Sequence, residues 1–331
     1  MKAKKVMIIG GAGFIGSNIA KELLTLNHKV LVYDNFSCYI PREQSFYNFY
    51  LPKRLKRIKD KAKIVRGDVY DKPKLIDTMR DFKPEIVINM VAIPLATASD
   101  EFFEDAIQIN LNGHINVLEA IRYSNSVERF LYSSSSFVYG HFKYDPADED
   151  HPTLPIDIYG GTKLSCEILS RSFSKKFGIE HVIIRPSAVY GPTDVNRRVS
   201  QIFLEKALLG ETLGLYNGGE DKVDFTYITD IAHGFVLATL SPNAANQTFN
   251  ITAGEGKSAK EFAEILDKIL PIKVKTEIKP TDLNRPIRGS LDISKARKLL
   301  GYEPKYQLEE GLKEYVNYIK TTGLFKKAFK K

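Results

Sequence analysis

Short apolar runs alternate with amphipathic stretches through the first half of the chain. The runs predict six strands, at residues 6–9, 30–33, 64–65, 86–88, 130–132 and 182–184. Helical spacing of apolar residues fills most of the gaps, as with Ile15, Ile19 and Leu23 in the helix predicted for residues 14–26. Strands joined by crossover helices form a parallel sheet that is covered on both faces. The pattern therefore predicts an α/β fold with a doubly wound parallel sheet.

After residue 186 the pattern changes. The elements become shorter, turn residues are denser (217–219, 241–243 and 254–256), and helices are predicted near 258–269 and 308–319. No Ser-rich or Gly-rich linker separates the two parts, so they should pack tightly. We expect a larger domain over residues 1–186 and a smaller C-terminal α/β lobe over 187–331.

A glycine-rich segment joins the first predicted strand to the first helix. Its sequence is Gly10-Gly-Ala-Gly13-Phe-Ile-Gly16. In this context the glycines allow a tight turn and close backbone approach to a pyrophosphate, which then faces the helix N-terminus. The alternative is a plain strand-to-helix turn, but the context favours a dinucleotide site.

Acidic residues end the second and third strands. Asp34 can accept hydrogen bonds from both ribose hydroxyls and would repel a 2′-phosphate, which favours NAD over NADP. Asp68 could face the adenine. Asp34-Asn35 and Gly67-Asp68 are also ordinary turn sequences, so the second signal is the weaker one.

Tyr159 and Lys163 lie four residues apart and should share one face of a helix. A phenol titrates near ~10, and a neighbouring ammonium lowers its pKa, which makes it a better base at neutral pH. A solvated helical pair is the alternative for this spacing alone. Four serines at 133–136 follow the fifth strand, at the sheet edge where ligands bind in open parallel sheets.

Together these segments resemble the extended short-chain dehydrogenase/reductase family, in particular its nucleotide-sugar epimerases and dehydratases. The likeness spans nearly the whole chain. Beyond the segments above, the matching ones are Val138-Tyr139-Gly140, Arg185-Pro186, Val189-Tyr190-Gly191-Pro192, Asp224-Phe225-Thr-Tyr227, Asp230 and Leu291-Asp292-Ile-Ser-Lys-Ala296.

The resemblance implies roles for these residues. Tyr159 would be the general base and acid at a sugar hydroxyl, Lys163 would lower its pKa and hold the nicotinamide ribose, and Ser135 would bind the same sugar oxygen. A hydride would pass from the sugar to tightly held NAD and return to the other face, as in a 4-epimerase. The NAD contacts implied are Gly10, Gly13, Phe14, Ile15, Gly16, Asp34, Asn35, Asp68, Val69, Val91, Ala92, Asn110, Ser133, Tyr159, Lys163 and Pro186.

Three positions separate the members of the family. Ser136 and Phe137 stand where 4,6-dehydratases carry an acidic pair, and Phe137 also replaces a glutamate of the decarboxylases. Thr97 stands where uronate-using relatives often carry an arginine. These differences favour a UDP-sugar 4-epimerase of the UDP-glucose/UDP-galactose type. A 4,6-dehydratase, a uronate epimerase or decarboxylase, and a ketosugar reductase, which would consume NADH or NADPH, are the alternatives.

The residues expected to bind the nucleotide sugar depart from the family pattern. Asn89 replaces a common histidine, Ala188 replaces an asparagine, and Val223, after Lys222, replaces an arginine. Arg285 and Arg288 are the first candidates for the diphosphate, because guanidinium groups bind phosphates in pairs of hydrogen bonds. A surface charge is the alternative for each arginine. The predicted substrate contacts are Thr97, Ser135, Ser136, Tyr159, Ala188, Asn196, Arg197, Arg198, Lys222, Arg285 and Arg288.

Composition and charge complete the expectations. Net charge is +8, and the two cysteines fit a reducing cytoplasm and have no metal-ligand spacing. The apolar run at 86–96 is too short to span a bilayer. The basic stretch at 53–63 follows aromatic residues and could bind nucleic acid in a non-catalytic RNA-binding or sensor protein, but a solvated helix is favoured. The resemblance implies a homodimer, joined by a four-helix bundle of the helices near 102–122 and 159–177.

Overall fold

A seven-stranded parallel sheet forms the centre of the molecule. The computed structural model describes residues 2–40, 46–281 and 286–329. The first six strands are β1 (Lys5–Ile9), β2 (Lys29–Asp34), β3 (Lys63–Arg66), β4 (Ile86–Asn89), β5 (Arg129–Ser133) and β6 (Glu180–Arg185). They stand in the order 3-2-1-4-5-6, and a later strand, Gln247–Asn250, adds to the edge beside β6. The predicted doubly wound α/β fold and all six predicted strands are confirmed.

Both faces of this sheet are buried. Side chains alternate along a strand, so that Val6 and Ile8 join a core on one face while Met7 and Ile9 join a second core on the other. Helices α1 (Phe14–Thr25) and Ile228–Leu240 pack together on the first face. This double coverage explains why the central strands are almost entirely apolar.

The remaining helices connect and cover the strands. Next along the chain are α2 (Tyr47–Lys56), α3 (Lys72–Phe82), α4 (Ala96–Glu101), α5 (Phe103–Ala106), a π-helical turn (Ile107–Asn112), α6 (Gly113–Ser124), a 3₁₀ turn (Ser136–Tyr139) and α7 (Ile158–Phe177). Helix α7 carries both Tyr159 and Lys163. It begins where the Asp157 side chain accepts a hydrogen bond from the backbone N–H of Gly160 at 2.7 Å, and it ends at Gly178, whose backbone is left-handed.

Most of the later elements build a smaller lobe. Its strands are β7 (Ala188–Tyr190), β8 (Thr212–Tyr216), β9 (Lys222–Tyr227), β11 (Gly256–Ser258) and β12 (Lys275–Lys279), with β10 being the Gln247–Asn250 strand of the main sheet. Its helices are α8 (Val199–Leu209), α10 (Ala259–Ile269), α11 (Ser294–Leu300) and α12 (Leu308–Thr322). The helix between α8 and α10, α9 (Ile228–Leu240), covers the main sheet. Further 3₁₀ turns lie at Asn217–Gly219, Pro242–Ala244 and Lys326–Phe329.

The chain returns to the main sheet after it has entered the smaller lobe. Strand β10 pairs in parallel with β6, and α9 packs on α1. The smaller lobe is therefore not one continuous segment, and the boundary expected at residues 186 and 187 stays a prediction. The return was not visible in the sequence, because β10 is a short strand of mixed polarity.

Candidate active site

A cavity of about 950 Å³ lies beyond the carboxyl ends of the strands, between the sheet and the smaller lobe. It borders Gly10 after β1, Asp34 at the end of β2, Val91 after β4, Ser133 at the end of β5 and Pro186 after β6. The order of the strands reverses between β1 and β4, which is where open α/β sheets bind ligands. Its volume is that of a site for a sizeable organic ligand.

The glycine-rich loop forms one wall of the cavity. Gly10 has a φ of +78°, and a Cβ on Gly16 would lie 2.6 Å from the carbonyl oxygen of Gly10. The N-cap of α1, Gly13, offers no side-chain hydrogen bond, and the first turn of the helix holds no acidic residue. The backbone N–H groups at this helix end and its positive dipole are therefore available to an anion such as a pyrophosphate.

Asp34 and Asp68 lie at the adjacent end of the cavity. The Asp34 carboxylate accepts hydrogen bonds from the backbone N–H of Ala12 at 2.9 Å and of Phe36 at 2.8 Å. Burial raises its pKa, although these hydrogen bonds and the charge of Arg54 oppose the rise. The Asn35 side chain donates to Asp68 at 2.8 Å. Both carboxylates are thus fixed where a ribose and a base would lie next to the glycine-rich loop.

The four serines after β5 have different surroundings. Ser133 gives its carbonyl to Lys163, and the Ser134 hydroxyl donates to the buried Glu167 at 2.6 Å. The Ser135 hydroxyl caps the 3₁₀ turn by accepting from the backbone N–H of Phe137 at 3.3 Å, and it lies near enough to the Tyr159 phenol to lower the pKa of that phenol. Of the four, Ser135 is the one that reaches the tyrosine.

Tyr159 and Lys163 face the cavity from one side of α7. The Lys163 ammonium donates to the carbonyl of Ser133 at 2.7 Å and lies 5.6 Å from the centre of the Tyr159 ring. Burial lowers the pKa of Lys163 to about 8, while the Cys166 and Glu167 charges oppose this. A group with this pKa is still mainly protonated at neutral pH. The predicted convergence of Ser135, Tyr159 and Lys163 is present.

The electrostatics of Tyr159 differ from the expectation. Burial raises the pKa of its phenol above the ordinary value, and the opposing influences are the charge of Arg198 and the nearby Ser135 hydroxyl. The Lys163 ammonium is hydrogen-bonded to the carbonyl of Ser133. The net effect of the surroundings is a raised pKa of Tyr159, whereas we expected Lys163 to lower it. The sequence does not disclose this, since Arg198 is far from Tyr159 along the chain.

Cationic and apolar groups share the substrate side of the cavity. One terminal nitrogen of Arg198 donates to both carboxylate oxygens of Asp194, at 2.9 and 3.0 Å, whereas Arg197 is paired with Glu205. The Arg288 guanidinium stacks 4.3 Å from the centre of the Phe137 ring, and Phe137 meets Tyr159 edge to face at 5.6 Å. An apolar ring therefore lies beside the phenol where dehydratases are expected to hold an acid.

Most of the predicted site residues border this one cavity. Asn110 does not, because its side chain accepts from the backbone N–H of Ile93 at 2.8 Å and donates to Thr162 at 3.1 Å. Ser136 also stands back from it, and Arg285 lies outside the described residues. The predicted residues that border the cavity are Gly10, Gly13, Phe14, Ile15, Gly16, Asp34, Asn35, Asp68, Val69, Val91, Ala92, Thr97, Ser133, Ser135, Tyr159, Lys163, Pro186, Ala188, Asn196, Arg197, Arg198, Lys222 and Arg288.

Comparison with known proteins decides the family. The model of the NAD dependent epimerase/dehydratase family matches residues 6–252, which is most of the chain. The chain belongs to the NAD dependent epimerase/dehydratase family.

Relatives of this family resemble the chain over almost its full length. A putative UDP-glucose 4-epimerase of Methanocaldococcus jannaschii is 31% identical over 96% of this chain and 99% of that protein. The structure of a UDP-glucuronic acid 4-epimerase from Bacillus cereus, in complex with UDP-glucuronic acid and NAD, has a TM-score of 0.88 at 28% identity and covers 96% of this chain and 99% of that one. The UDP-glucose 4-epimerase of Thermotoga maritima, with UDP-glucose, gives 0.85 at 28% identity with the same coverage.

As in other members of the NAD dependent epimerase/dehydratase family, the cofactor is NAD. The site fits NAD, because the glycine-rich loop and the N-terminus of α1 suit a pyrophosphate, and Asp34 disfavours a 2′-phosphate. Among the described residues, no cluster of histidine, cysteine or acidic side chains could hold a metal ion. In the same part of the chain, no helix has the length and apolar character needed to cross a membrane.

Arg54 is the main cavity residue that the sequence did not reveal. It lies within the basic stretch that we expected to form a solvated helix, yet it is 2% exposed and borders the cavity next to Ala12. Lys206, Lys279 and Tyr216 also border the cavity and were not predicted. A basic run carries no local signal that marks one member as buried, so only the three-dimensional fold could identify Arg54.

Proposed function

We propose that the protein is a UDP-sugar 4-epimerase of the UDP-glucose/UDP-galactose type, which oxidises the sugar transiently at C4 and reduces it again on the other face. The observation that carries the proposal is the meeting of Ser135, Tyr159 and Lys163 in the cavity that also borders the glycine-rich loop and Asp34. The epimerase function of close relatives supports it.

Each of these residues has a task in the proposed reaction. Tyr159 takes the proton of the C4 hydroxyl and later returns it, and Ser135 holds the same oxygen by a hydrogen bond. Lys163, fixed by Ser133, contributes positive charge near the phenol and can bind a ribose hydroxyl. NAD supplies the hydride chemistry when bound. The serine, the tyrosine and the lysine together orient the sugar and move its proton.

The 4-epimerase proposal is favoured over a 4,6-dehydratase. Elimination of water needs a group that exchanges a proton at a neighbouring carbon. Phe137 lies edge to face against Tyr159 at 5.6 Å, and a phenyl ring cannot perform that exchange. The site therefore keeps the groups for oxidation and return of the hydride, while position 137 holds a ring that exchanges no proton.

A second candidate is a UDP-glucuronate 4-epimerase. Arg288 stacks on Phe137 next to Tyr159, and the charge of Arg198 reaches the phenol from the smaller lobe. A carboxylate on the sugar would be stabilised by guanidinium groups this close to Tyr159. The B. cereus structure that resembles this chain contains UDP-glucuronic acid. Thr97, in place of an arginine, is the feature that favours the neutral sugar.

A panel of nucleotide sugars separates these candidates. Purified protein is incubated without added NAD with UDP-glucose, UDP-galactose, UDP-N-acetylglucosamine and UDP-glucuronate, and the products are followed by proton NMR. We expect interconversion of UDP-glucose and UDP-galactose without net formation of NADH. Turnover of UDP-glucuronate alone selects the second candidate. Stoichiometric consumption of added NADH or NADPH, or a 4-keto-6-deoxy product, contradicts the epimerase proposal.

The proposal includes a homodimer joined by a four-helix bundle. Apolar side chains are exposed on the helices involved, among them Phe103, Ile115, Ile168 and Phe177, with Ile168 54% exposed. A row of this kind is typical of a surface that a partner covers. Ile168→Glu is expected to give monomers in light scattering. Ile278→Glu, the same substitution on the exposed strand β12, should leave the dimer intact. A monomeric unmodified protein at micromolar concentration contradicts this part.

A cytoplasmic location is also part of the proposal. Cys38 and Cys166 form no disulfide, which fits a reducing compartment. Cell fractionation with an antibody to the protein tests this.

A further inference from the structure

Arg54 is a buried cation that lies between the two lobes. Helix α2 presents Tyr47, Tyr50 and Arg54 on its inner face, and all three are buried. Burial lowers the pKa of the Arg54 guanidinium to about 10, with the negative charge of Asp194 as the first opposing influence. The side chain is therefore charged at neutral pH. Burying a charge costs several kcal/mol unless it is compensated, so its partners show what it holds.

The hydrogen bonds of Arg54 join two loops that are far apart in sequence. One terminal nitrogen donates to the carbonyl of Ala12 in the glycine-rich loop at 3.4 Å, and the other donates to the carbonyl of Thr193 in the smaller lobe. Its Nε has no hydrogen-bond partner among the described residues. Because a guanidinium is planar and rigid, the two carbonyls are held at a fixed separation. The cofactor loop and the loop at Thr193 are thus linked through one side chain.

The loop at Thr193 has a backbone that needs support. Thr193 is β-branched and has a φ of +76°, which costs conformational energy for such a residue. The next residue, Asp194, is fully buried, and both of its carboxylate oxygens accept from one terminal nitrogen of Arg198. Arg198 in turn borders the same cavity as Tyr159, and its positive charge opposes the rise that burial causes in the pKa of the phenol. The contacts therefore run from Arg54 through Thr193 and Asp194 to Arg198 and the tyrosine.

Building on the proposed epimerase function, we propose that Arg54 is a positioning residue: it clamps the Thr193–Asp194 segment against the glycine-rich loop and so places Arg198 at the reacting tyrosine. The charge of Arg54 also attracts Asp194, which keeps the carboxylate buried and oriented toward Arg198. Loss of the clamp frees the strained Thr193 backbone to relax. Arg198 then leaves its place even though its own ion pair with Asp194 is intact.

This chain of contacts is tested by measuring kcat as a function of pH. The variants are Arg54→Met, Arg54→Lys, Arg198→Met and the double variant Arg54→Met/Arg198→Met. We expect Arg54→Met to lower kcat about 10- to 100-fold, because small misplacements near the reacting atoms have effects of that size. Without the nearby cation the phenol loses its proton less readily. The rising limb of the plot of kcat against pH therefore moves to higher pH. Arg198→Met should move this limb equally. Arg54→Lys, which keeps the charge and reaches one carbonyl, should lie between Arg54→Met and the unmodified protein.

The double variant and a control separate positioning from general destabilisation. Arg54→Met/Arg198→Met should be no slower than Arg198→Met alone, because both changes remove the same interaction. Arg57→Met is the control: Arg57 lies one turn further along α2 and donates to Asn18 at 3.2 Å, away from the Thr193 loop. It should leave the pH limb in place. Additive losses, or an unmoved limb in Arg54→Met, overturn the proposal.

Hydrogen exchange of residues 191–198 gives a readout that does not depend on turnover. Faster exchange of this segment in Arg54→Met, with unchanged exchange in Arg57→Met, is the expected result. Equal exchange in the unmodified protein and Arg54→Met overturns the clamp, whatever the substrate. If no nucleotide sugar is turned over but the segment is released, the proposed function has failed while the clamp stands.

Discussion

Replacing Tyr159 by phenylalanine is expected to lower turnover of the nucleotide sugar by about 10³-fold, within the range that a positioned acid and base contributes. The ring still packs against Phe137, so the fold is unchanged. The phenol oxygen, which lies at the cavity with Ser135, is the atom lost. The measurement is kcat by proton NMR, together with the melting temperature and the NAD content of the purified protein.

A matched phenol elsewhere serves as the control for this change. Tyr144→Phe removes the hydroxyl that donates to Asp148 at 2.7 Å on an exposed ring. It should retain full turnover. If Tyr159→Phe retains more than about a tenth of the rate, the phenol is not the acid and base, since such groups contribute at least about 10²-fold.

The largest effect on stability is expected at Glu167. This fully buried carboxylate on α7 accepts two hydrogen bonds from Arg185 at the end of β6, at 2.7 and 2.9 Å, and one from Ser134 at 2.6 Å. Glu167→Gln leaves the Arg185 guanidinium, itself 3% exposed, without its charge partner. Such a change costs about 3–5 kcal/mol in the free energy of unfolding, measured with urea.

An exposed ion pair away from the proposed dimer surface provides the control for Glu167→Gln. Glu303 and Arg297 form a pair at 3.2 Å with side chains that are 67% and 49% exposed, and Glu303→Gln should cost less than about 1 kcal/mol. Equal effects of the two substitutions would show that the buried pair does not hold α7 to the sheet.

The pH dependence of the Glu167 contribution follows from its pKa. Burial alone would raise this pKa, but the hydrogen bonds and charge of Arg185 outweigh burial and leave it below the ordinary value of 4.5. A carboxyl whose pKa is depressed by folding stabilises the protein above its unfolded-state pKa, and this contribution is lost as pH falls through the folded-state pKa. The stability difference between the unmodified protein and Glu167→Gln should therefore be full near pH 7 and shrink below about pH 4.5.

Glu167 also shows why the stability of α7 matters for the site. The same helix carries Tyr159 and Lys163, and Ser134 lies directly before Ser135. Glu167 thus fixes the helix to β6 through Arg185 and to the serine run through Ser134. Glu167→Gln is expected to lower turnover as well as stability, although neither Glu167 nor Arg185 borders the cavity.

Local patterns in the sequence were sufficient for the sheet and for the residues nearest the chemistry. Strand β1 and the glycine-rich loop are adjacent in sequence, and Tyr159 and Lys163 are one helical turn apart, so each pair could be recognised without the fold. Strand β10 could not be assigned to the main sheet in this way, because its partner β6 lies about sixty residues earlier in the chain.

The electrostatic partners of the site were hidden for the same reason. Arg54 contacts Thr193, which is 139 residues away along the chain, and it stands in a run of basic residues that resembles an exposed helix. Arg198 and Tyr159 reach the same cavity only through folding. The expected influence of Lys163 on Tyr159 was inferred from their spacing and from the family resemblance. In the structure the ammonium is directed to the carbonyl of Ser133, a contact that spacing along α7 does not reveal.

The fate of the hydrogen at C4 of the sugar tests the central claim most directly. A UDP-sugar that the protein turns over is incubated in deuterated water, and the product epimer is examined by NMR at C4. If the groups around Tyr159 support reversible oxidation, the original hydrogen returns to C4 and the product carries no solvent deuterium there. Deuterium at C4 would show that the carbon is deprotonated instead, and it would contradict the account.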